Sequence, residues 1–169
     1  EDILALIKRG IDYKTIVVID EVLIDFIINF ERFTMIHKAI KNKYLLVLRS
    51  LTKFFAIPGL RLGYMVGHKS LIGKIGLFSY PWNINSLAQV AGRAVLSDYN
   101  YMSESRKFIE NERTFLFDKL KSINNIHAYS PSANFILCRI INKKDSINTK
   151  KLTEYLGKKG IMIRDCSNF

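Results

Sequence analysis

Tyr44 to Tyr64, YLLVLRSLTKFFAIPGLRLGY, packs a strand, a tight turn and a group of reactive side chains into one short span. Tyr44 to Leu48 is an unbroken apolar run, the pattern of a strand buried on both faces of a parallel sheet. The strand ends at Ser50. Ser50 and Thr52 place two hydroxyls just before Lys53, Pro58 and Gly59 force a turn, and Arg61 follows. In open α/β sheets, ligands bind beyond the carboxyl ends of the strands. Two hydroxyls and an arginine in that position make a cradle for phosphate, the guanidinium through paired charge-assisted hydrogen bonds. A lysine there can form a Schiff base with a carbonyl if its amine is kept neutral. A lysine without such neighbours is more often a solvated loop residue.

Upstream, Thr15 to Ile19 (TIVVI) is a second buried-strand pattern, and Asp20 and Glu21 stand at its carboxyl end. A carboxylate at that place either pairs with a protonated ring nitrogen or simply shapes the turn. Asp2 to Arg9 reads as a helix closed by Gly10, and Phe33 to Lys41 as another. Leu62 to Val66 reads as a third buried strand. Strands alternating with helices at these lengths predict an α/β fold with a mostly parallel sheet. From Lys69 onward the pattern turns helical. Ser86 to Leu96 is one helix, and Met102, Ile109, Leu116, Leu120 and Ile123 form a single apolar stripe on a longer one. Asn134 to Ile140 predicts a strand. Thr149 to Lys159 predicts a helix with Asn148 as its N-cap and Gly160 past its end. Ile161 to Arg164 predicts a last strand. Residues 1–99 are expected to form one domain and residues 100–169 a smaller α+β one.

Composition narrows the function classes. Hydrophobic residues are 49% and charged residues 24%, which excludes disorder as the main state. No apolar run approaches the roughly 18 residues of a membrane span; the richest, Val22 to Phe30, carries Asp25. Glu1 and Asp2 are unlike the start of a secretory leader. Lysine and arginine exceed acidic residues 26 to 15, a net charge of +11. Most of the excess is lysine in scattered pairs such as Lys143-Lys144, Lys150-Lys151 and Lys158-Lys159, with no basic helix or aromatic RNA-binding motif. The scatter argues against a nucleic-acid role, and a site for anionic small molecules fits the charge equally well. Cys138 and Cys166 make neither a disulfide framework nor a zinc spacing, and His37, His68 and His127 lie in unrelated segments.

VVIDEVLIDF (Val17 to Phe26), SLTKFFAIPGLRLGY (Ser50 to Tyr64) and SANF (Ser132 to Phe135) together resemble fold-type-I pyridoxal-phosphate enzymes of the class I/II aminotransferase family, the group that includes histidinol-phosphate aminotransferases. PWNIN (Pro81 to Asn85) and IRDCSNF (Ile163 to Phe169) are similar to the threonine-phosphate decarboxylase branch used in cobalamin synthesis. The resemblance runs from Glu1 to Phe169. It implies the second part of a large cofactor-binding domain followed by most of a small domain. The glycine-rich phosphate turn, an asparagine that meets the cofactor ring and a distal carboxylate-binding arginine are expected to lie outside these residues.

The resemblance also implies roles. Lys53 would carry the covalent link to pyridoxal 5'-phosphate, Asp20 would hold the pyridine nitrogen protonated, and Ser50, Thr52 and Arg61 would bind the cofactor phosphate. Arg164 would face a phosphorylated amino-acid substrate. A cytoplasmic homodimer is expected, with no metal, nucleic acid or membrane partner. Aminotransferases of this group often carry a tyrosine three residues after the aspartate, where this sequence has Leu23. That departure removes a hydrogen bond to the cofactor and argues against an ordinary aminotransferase, while PWNIN and IRDCSNF point to phosphothreonine decarboxylation, with histidinol-phosphate transamination as the runner-up. The aminotransferase-like effector domain of a transcription regulator is the alternative from a different class.

Overall fold

The computed structural model describes residues 2–141 and 148–168. Lys143-Lys144 and the terminal Glu1 and Phe169 lie outside the described residues. The chain divides into two compact units, Glu1–Ile109 and Glu110–Phe169.

In the first unit, β1 (Val17–Asp20), β2 (Leu45–Ser50) and β3 (Gly63–Gly67) form one sheet in that order. β1 and β2 are parallel, with Val17 opposite Leu45 and Asp20 opposite Leu48. β3 returns antiparallel, with Ser50 opposite Gly63. Val17, Ile19, Leu45 and Val47 share one face of the sheet. There they meet Ile7 of α1 (Ile3–Asp12) and Met35, Ile36 and Ala39 around α2 (Ile36–Ala39). Leu45 and Val47 are wholly buried, as an unbroken apolar strand requires. β1 and β3 are not. Val18 is 53% exposed, and β2 is the one strand neighbour of β1 among the described residues, so the expected two-sided burial holds only for β2.

The helices are built as their local chemistry dictates, with two differences from expectation. Asp2 caps α1 by accepting from the Leu4 N–H, but the helix runs through Gly10. A Cβ on Gly10 would lie 2.6 Å from Val17 Cγ2, so this glycine serves close helix–strand packing rather than termination. The helix expected over Phe33 to Lys41 shrinks to α2, preceded by a 3-10 turn at Phe30–Arg32. α3 (Lys69–Gly76) is capped by His68, and α4 (Ser86–Leu96) has its expected bounds, with Asn85 accepting from the Ala88 N–H. α5 (Tyr99–Lys121) starts in the first unit. There Met102 and Ile109 pack on a second cluster of Phe26, Leu51, Phe54 and Phe55.

The second unit holds the rest of α5, an antiparallel pair of β4 (Ile126–Ala128) and β5 (Cys138–Ile140), and α6 (Thr149–Gly157). Arg113 of α5 bonds the Ser132 carbonyl and pairs with Glu110. The expected strand from Asn134 shortens to β5, β4 was not anticipated, and Ile161 to Arg164 is irregular rather than a strand. Asn148 caps α6 through the Lys151 N–H, as its position predicts. No helix among the described residues is long and apolar enough to cross a membrane.

Candidate active site

The carboxyl ends of β1 and β2 and the start of the antiparallel β3 fall at one end of the sheet. Asp20 closes β1 there, exposed, with Oδ1 accepting from the Val22 N–H at 2.9 Å. Ser50 closes β2. Ser50 and Thr52 are buried, and their hydroxyl oxygens are 2.7 Å apart, while the Thr52 N–H also donates to Ser50 Oγ at 3.2 Å. One hydroxyl proton is used within the pair. Whichever oxygen donates it, the other retains a proton for a ligand, so the pair is a ready donor to an anion.

Lys53 is exposed between two buried residues, Thr52 and Phe54. The turn around it is held firmly. The Ala56 N–H returns to the Lys53 carbonyl at 3.2 Å, and the Ile57 N–H to the Thr52 carbonyl at 3.1 Å. Phe54 and Phe55 anchor the turn in the second apolar cluster. Tyr101 donates its hydroxyl to the Phe54 carbonyl at 3.0 Å and stacks on Phe55. The turn is rigid and leaves the Lys53 side chain accessible to a ligand.

Arg61 is exposed. It adopts a left-handed backbone (φ 52°) after the Pro58–Leu60 turn, and its Nη1 donates to the Pro58 carbonyl at 3.0 Å. A side chain carrying Cβ holds that conformation only where its surroundings impose it. Two residues later, Gly63 faces Ser50 across the ladder. A Cβ on Gly63 would lie 2.8 Å from the Arg49 carbonyl oxygen, so the close pairing that brings the Arg61 loop to the hydroxyl pair needs glycine.

Arg164 stands in the second unit, in the irregular segment before Asp165. The backbone and side chain of Ser167, bonded to the Asp165 carboxylate, hold that group below the ordinary carboxylate range, with help from Arg164. Tyr80 and Trp82, beside and within the PWNIN stretch, are 84% and 96% exposed. Cys138 has its thiol pushed up by burial, away from thiolate chemistry.

The sequence reading missed an ion-pair group behind the site. Arg49, 6% exposed, donates to Glu21 Oε2 at 3.1 Å and to Asp25 Oδ1 at 2.9 Å. Glu21 also accepts from Thr34 Oγ1 at 2.7 Å and the Met35 N–H at 2.6 Å. Phe30 lies under the guanidiniums of both Arg49 and Arg106, and Arg106 Nε donates to the Asp25 carbonyl. The available signal was an arginine closing the apolar run YLLVL, since a buried strand admits such a charge only with partners.

Residues 1–169 match the sequence model of the family described as aminotransferase class I and II. The chain belongs to that family. Pyridoxal 5'-phosphate is the cofactor of the family's enzymes. A protein of Caldanaerobacter subterraneus subsp. tengcongensis named "Putative threonine-phosphate decarboxylase" is 36% identical over 169 residues, which is all of this chain and 45% of that protein. A histidinol-phosphate aminotransferase of the same organism is 34% identical over 99% of the chain and 44% of its own length. The crystal structure of the histidinol-phosphate aminotransferase from Clostridium acetobutylicum superposes with a TM-score of 0.89 at 36% identity, covering 98% of this chain and 49% of that one. The chain thus spans less than half the length of the curated relatives it matches. The fold is that of these enzymes, and the two activities carried by the relatives' names are matched about equally well.

Proposed function

We propose that the whole protein carrying this chain is a pyridoxal-phosphate enzyme that decarboxylates L-threonine O-3-phosphate to aminopropanol phosphate in cobalamin biosynthesis, as a cytoplasmic homodimer. The observation that carries the cofactor assignment is the meeting of Asp20, the Ser50–Thr52 hydroxyl pair, Lys53 and the Arg61 loop at one end of the sheet. The donor chemistry fits the group: hydroxyl protons and a guanidinium for a phosphate, a carboxylate for a ring nitrogen, and an open amine for an aldehyde. When bound, the cofactor would supply an electron sink for the bonding pair that the departing carboxylate leaves at the substrate Cα.

The chain's own residues do the rest. Ser50, Thr52 and Arg61 hold the cofactor phosphate. Asp20 keeps the ring nitrogen protonated by an ion pair. Lys53 would make the covalent attachment and, once the substrate amine has taken its place, its freed amine would carry the proton that replaces the departed carboxylate at Cα. Arg164 grips the substrate phosphate, because its planar fork offers paired donors. Residues 1–99 form the later part of the large domain and 100–169 most of the small one.

Leu23 favours decarboxylation. It packs against the Phe26–Phe54 cluster and presents no hydroxyl where aminotransferases of the group often carry tyrosine. The runner-up, histidinol-phosphate transamination, is supported by the likeness to the Clostridium acetobutylicum enzyme. The deciding assay sets carbon dioxide release from phosphothreonine beside keto-acid-dependent amine transfer from histidinol phosphate. Amine transfer without carbon dioxide release hands the protein to the aminotransferase branch. Cofactor binding with neither activity points to a regulator's effector domain.

A further inference from the structure

The register of β1 and β2 carries more than the core. Val17 lies opposite Leu45 and Ile19 opposite Val47, all on the face covered by α1 and α2. One step further along the same face the pairing continues with Glu21 and Arg49, because the Glu21 N–H still bonds the Leu48 carbonyl at 2.9 Å. Side chains alternate along a strand, so Asp20 and Ser50 fall on the opposite face. Each residue assigned to the cofactor at the two strand ends is therefore the immediate chain neighbour of a member of a buried ion pair.

We propose that Arg49 is a positioning residue: by holding Glu21 and Asp25 it clamps the ends of β1 and β2 together and so sets the placement of Asp20 relative to the Ser50–Thr52–Lys53 turn. The assignment of a role toward the cofactor rests on the proposed function. The clamp has the chemistry for the task. Both contacted carboxylates are shielded, with side chains 5% and 13% exposed, so the pairs resist screening by water and salt. Glu21 also ties the start of α2 through Met35 and Thr34, and the 3-10 turn that begins the return from Glu21 ends at Phe26 in the apolar cluster that anchors the lysine turn. Arg106 braces the same group from α5, bonding the Asp25 carbonyl and lying over Phe54, the residue after Lys53.

The test uses the full-length protein with Arg49→Lys, which keeps the charge and loses the fork, and Glu21→Gln, which keeps an acceptor for the Met35 N–H and loses the charge. In cofactor-free protein, hydrogen exchange at the Glu21, Val22, Leu51 and Thr52 amides should rise about tenfold or more relative to the mid-strand amides of β2. These four amides report on the clamp directly, since they bond Leu48, Asp20 Oδ1, Leu62 and Ser50 Oγ. The dissociation constant for pyridoxal 5'-phosphate should rise about ten- to a hundredfold, as a misplaced binding constellation does. The pH midpoint of the loaded protein's visible absorbance should move as well. Exchange raised uniformly over the whole sheet, or folded variants with wild-type exchange at the four amides, overturns the clamp. Raised local exchange with wild-type cofactor affinity and midpoint overturns the positioning role. A wild-type protein that binds no cofactor overturns the functional assignment instead, and the exchange measurement still decides the clamp.

Discussion

Gly63→Ala probes the site without touching any of its polar groups. The new methyl would sit 2.8 Å from the Arg49 carbonyl oxygen, where ordinary contact begins at 3.4 Å. β3 must therefore retreat by about 0.6 Å, or β2 must bend, because the clashing atom is backbone and has no rotamer to escape into. Overpacking of this kind costs about 1–3 kcal/mol. The lower entropy of an unfolded chain with alanine returns about 0.4–1 kcal/mol. A net loss of about 0–2.6 kcal/mol follows, about 1.3 kcal/mol at the middle of the two ranges and near tenfold in the folding equilibrium. The strain falls on the residue pair that includes Ser50, and the neighbouring bond from the Leu51 N–H to the Leu62 carbonyl, now 3.1 Å, should lengthen. Cofactor affinity should therefore fall along with stability. Urea unfolding of the cofactor-free full-length protein and a cofactor titration measure the two effects. Gly73→Ala is the control. Nothing lies within 4 Å of its added methyl, and inside α3 the change should stabilise by about 0.5–1 kcal/mol. Gly63→Ala with wild-type stability and wild-type affinity would refute the close β2–β3 pairing as the device that shapes the site.

Lys53→Ala should abolish the borohydride-fixed attachment of cofactor, read as intact mass after reduction; a cofactor still fixed to the variant removes Lys53 from the site. Arg164→Ala should raise the Michaelis constant for the phosphorylated substrate far more than it changes cofactor affinity, with a loss of about 2–5 kcal/mol if the pair is desolvated. Equal effects on both would place Arg164 elsewhere. Asp25 is raised above the ordinary aspartate range, first by burial, with the Arg49 and Arg106 charges opposing. A raised folded value means that its contribution to stability is complete below about pH 4 and is lost as pH climbs through that value. Asp25→Asn lacks the titration, so its stability relative to wild type should improve from about pH 4 upward. A flat or reversed difference would show that Asp25 is not desolvated.

What could be read from residues alone was local. α4 was legible as a helical run that no proline interrupts, and α6 because Asn148 caps the N–H three residues on, a contact written within one turn of chain. The turn from Ser50 to Arg61 was legible because hydroxyls, lysine, proline and glycine stand at short spacing, and the same stretch carried the family resemblance. The direction of β3 was not legible, since an apolar run has the same pattern whether it pairs parallel or antiparallel. Ile161 to Arg164 has a strand's composition, yet it joins no sheet among the described residues, and composition alone does not supply a ladder partner. The largest gap was the Glu21–Arg49–Asp25 group. Arg49 lies 28 and 24 residues from its two partners. In the sequence each is a plain charge beside a more conspicuous neighbour. Only the parallel register of β1 on β2 brings the three within bonding distance, and only burial of that sheet face turns ordinary surface charges into a clamp that the fold must satisfy.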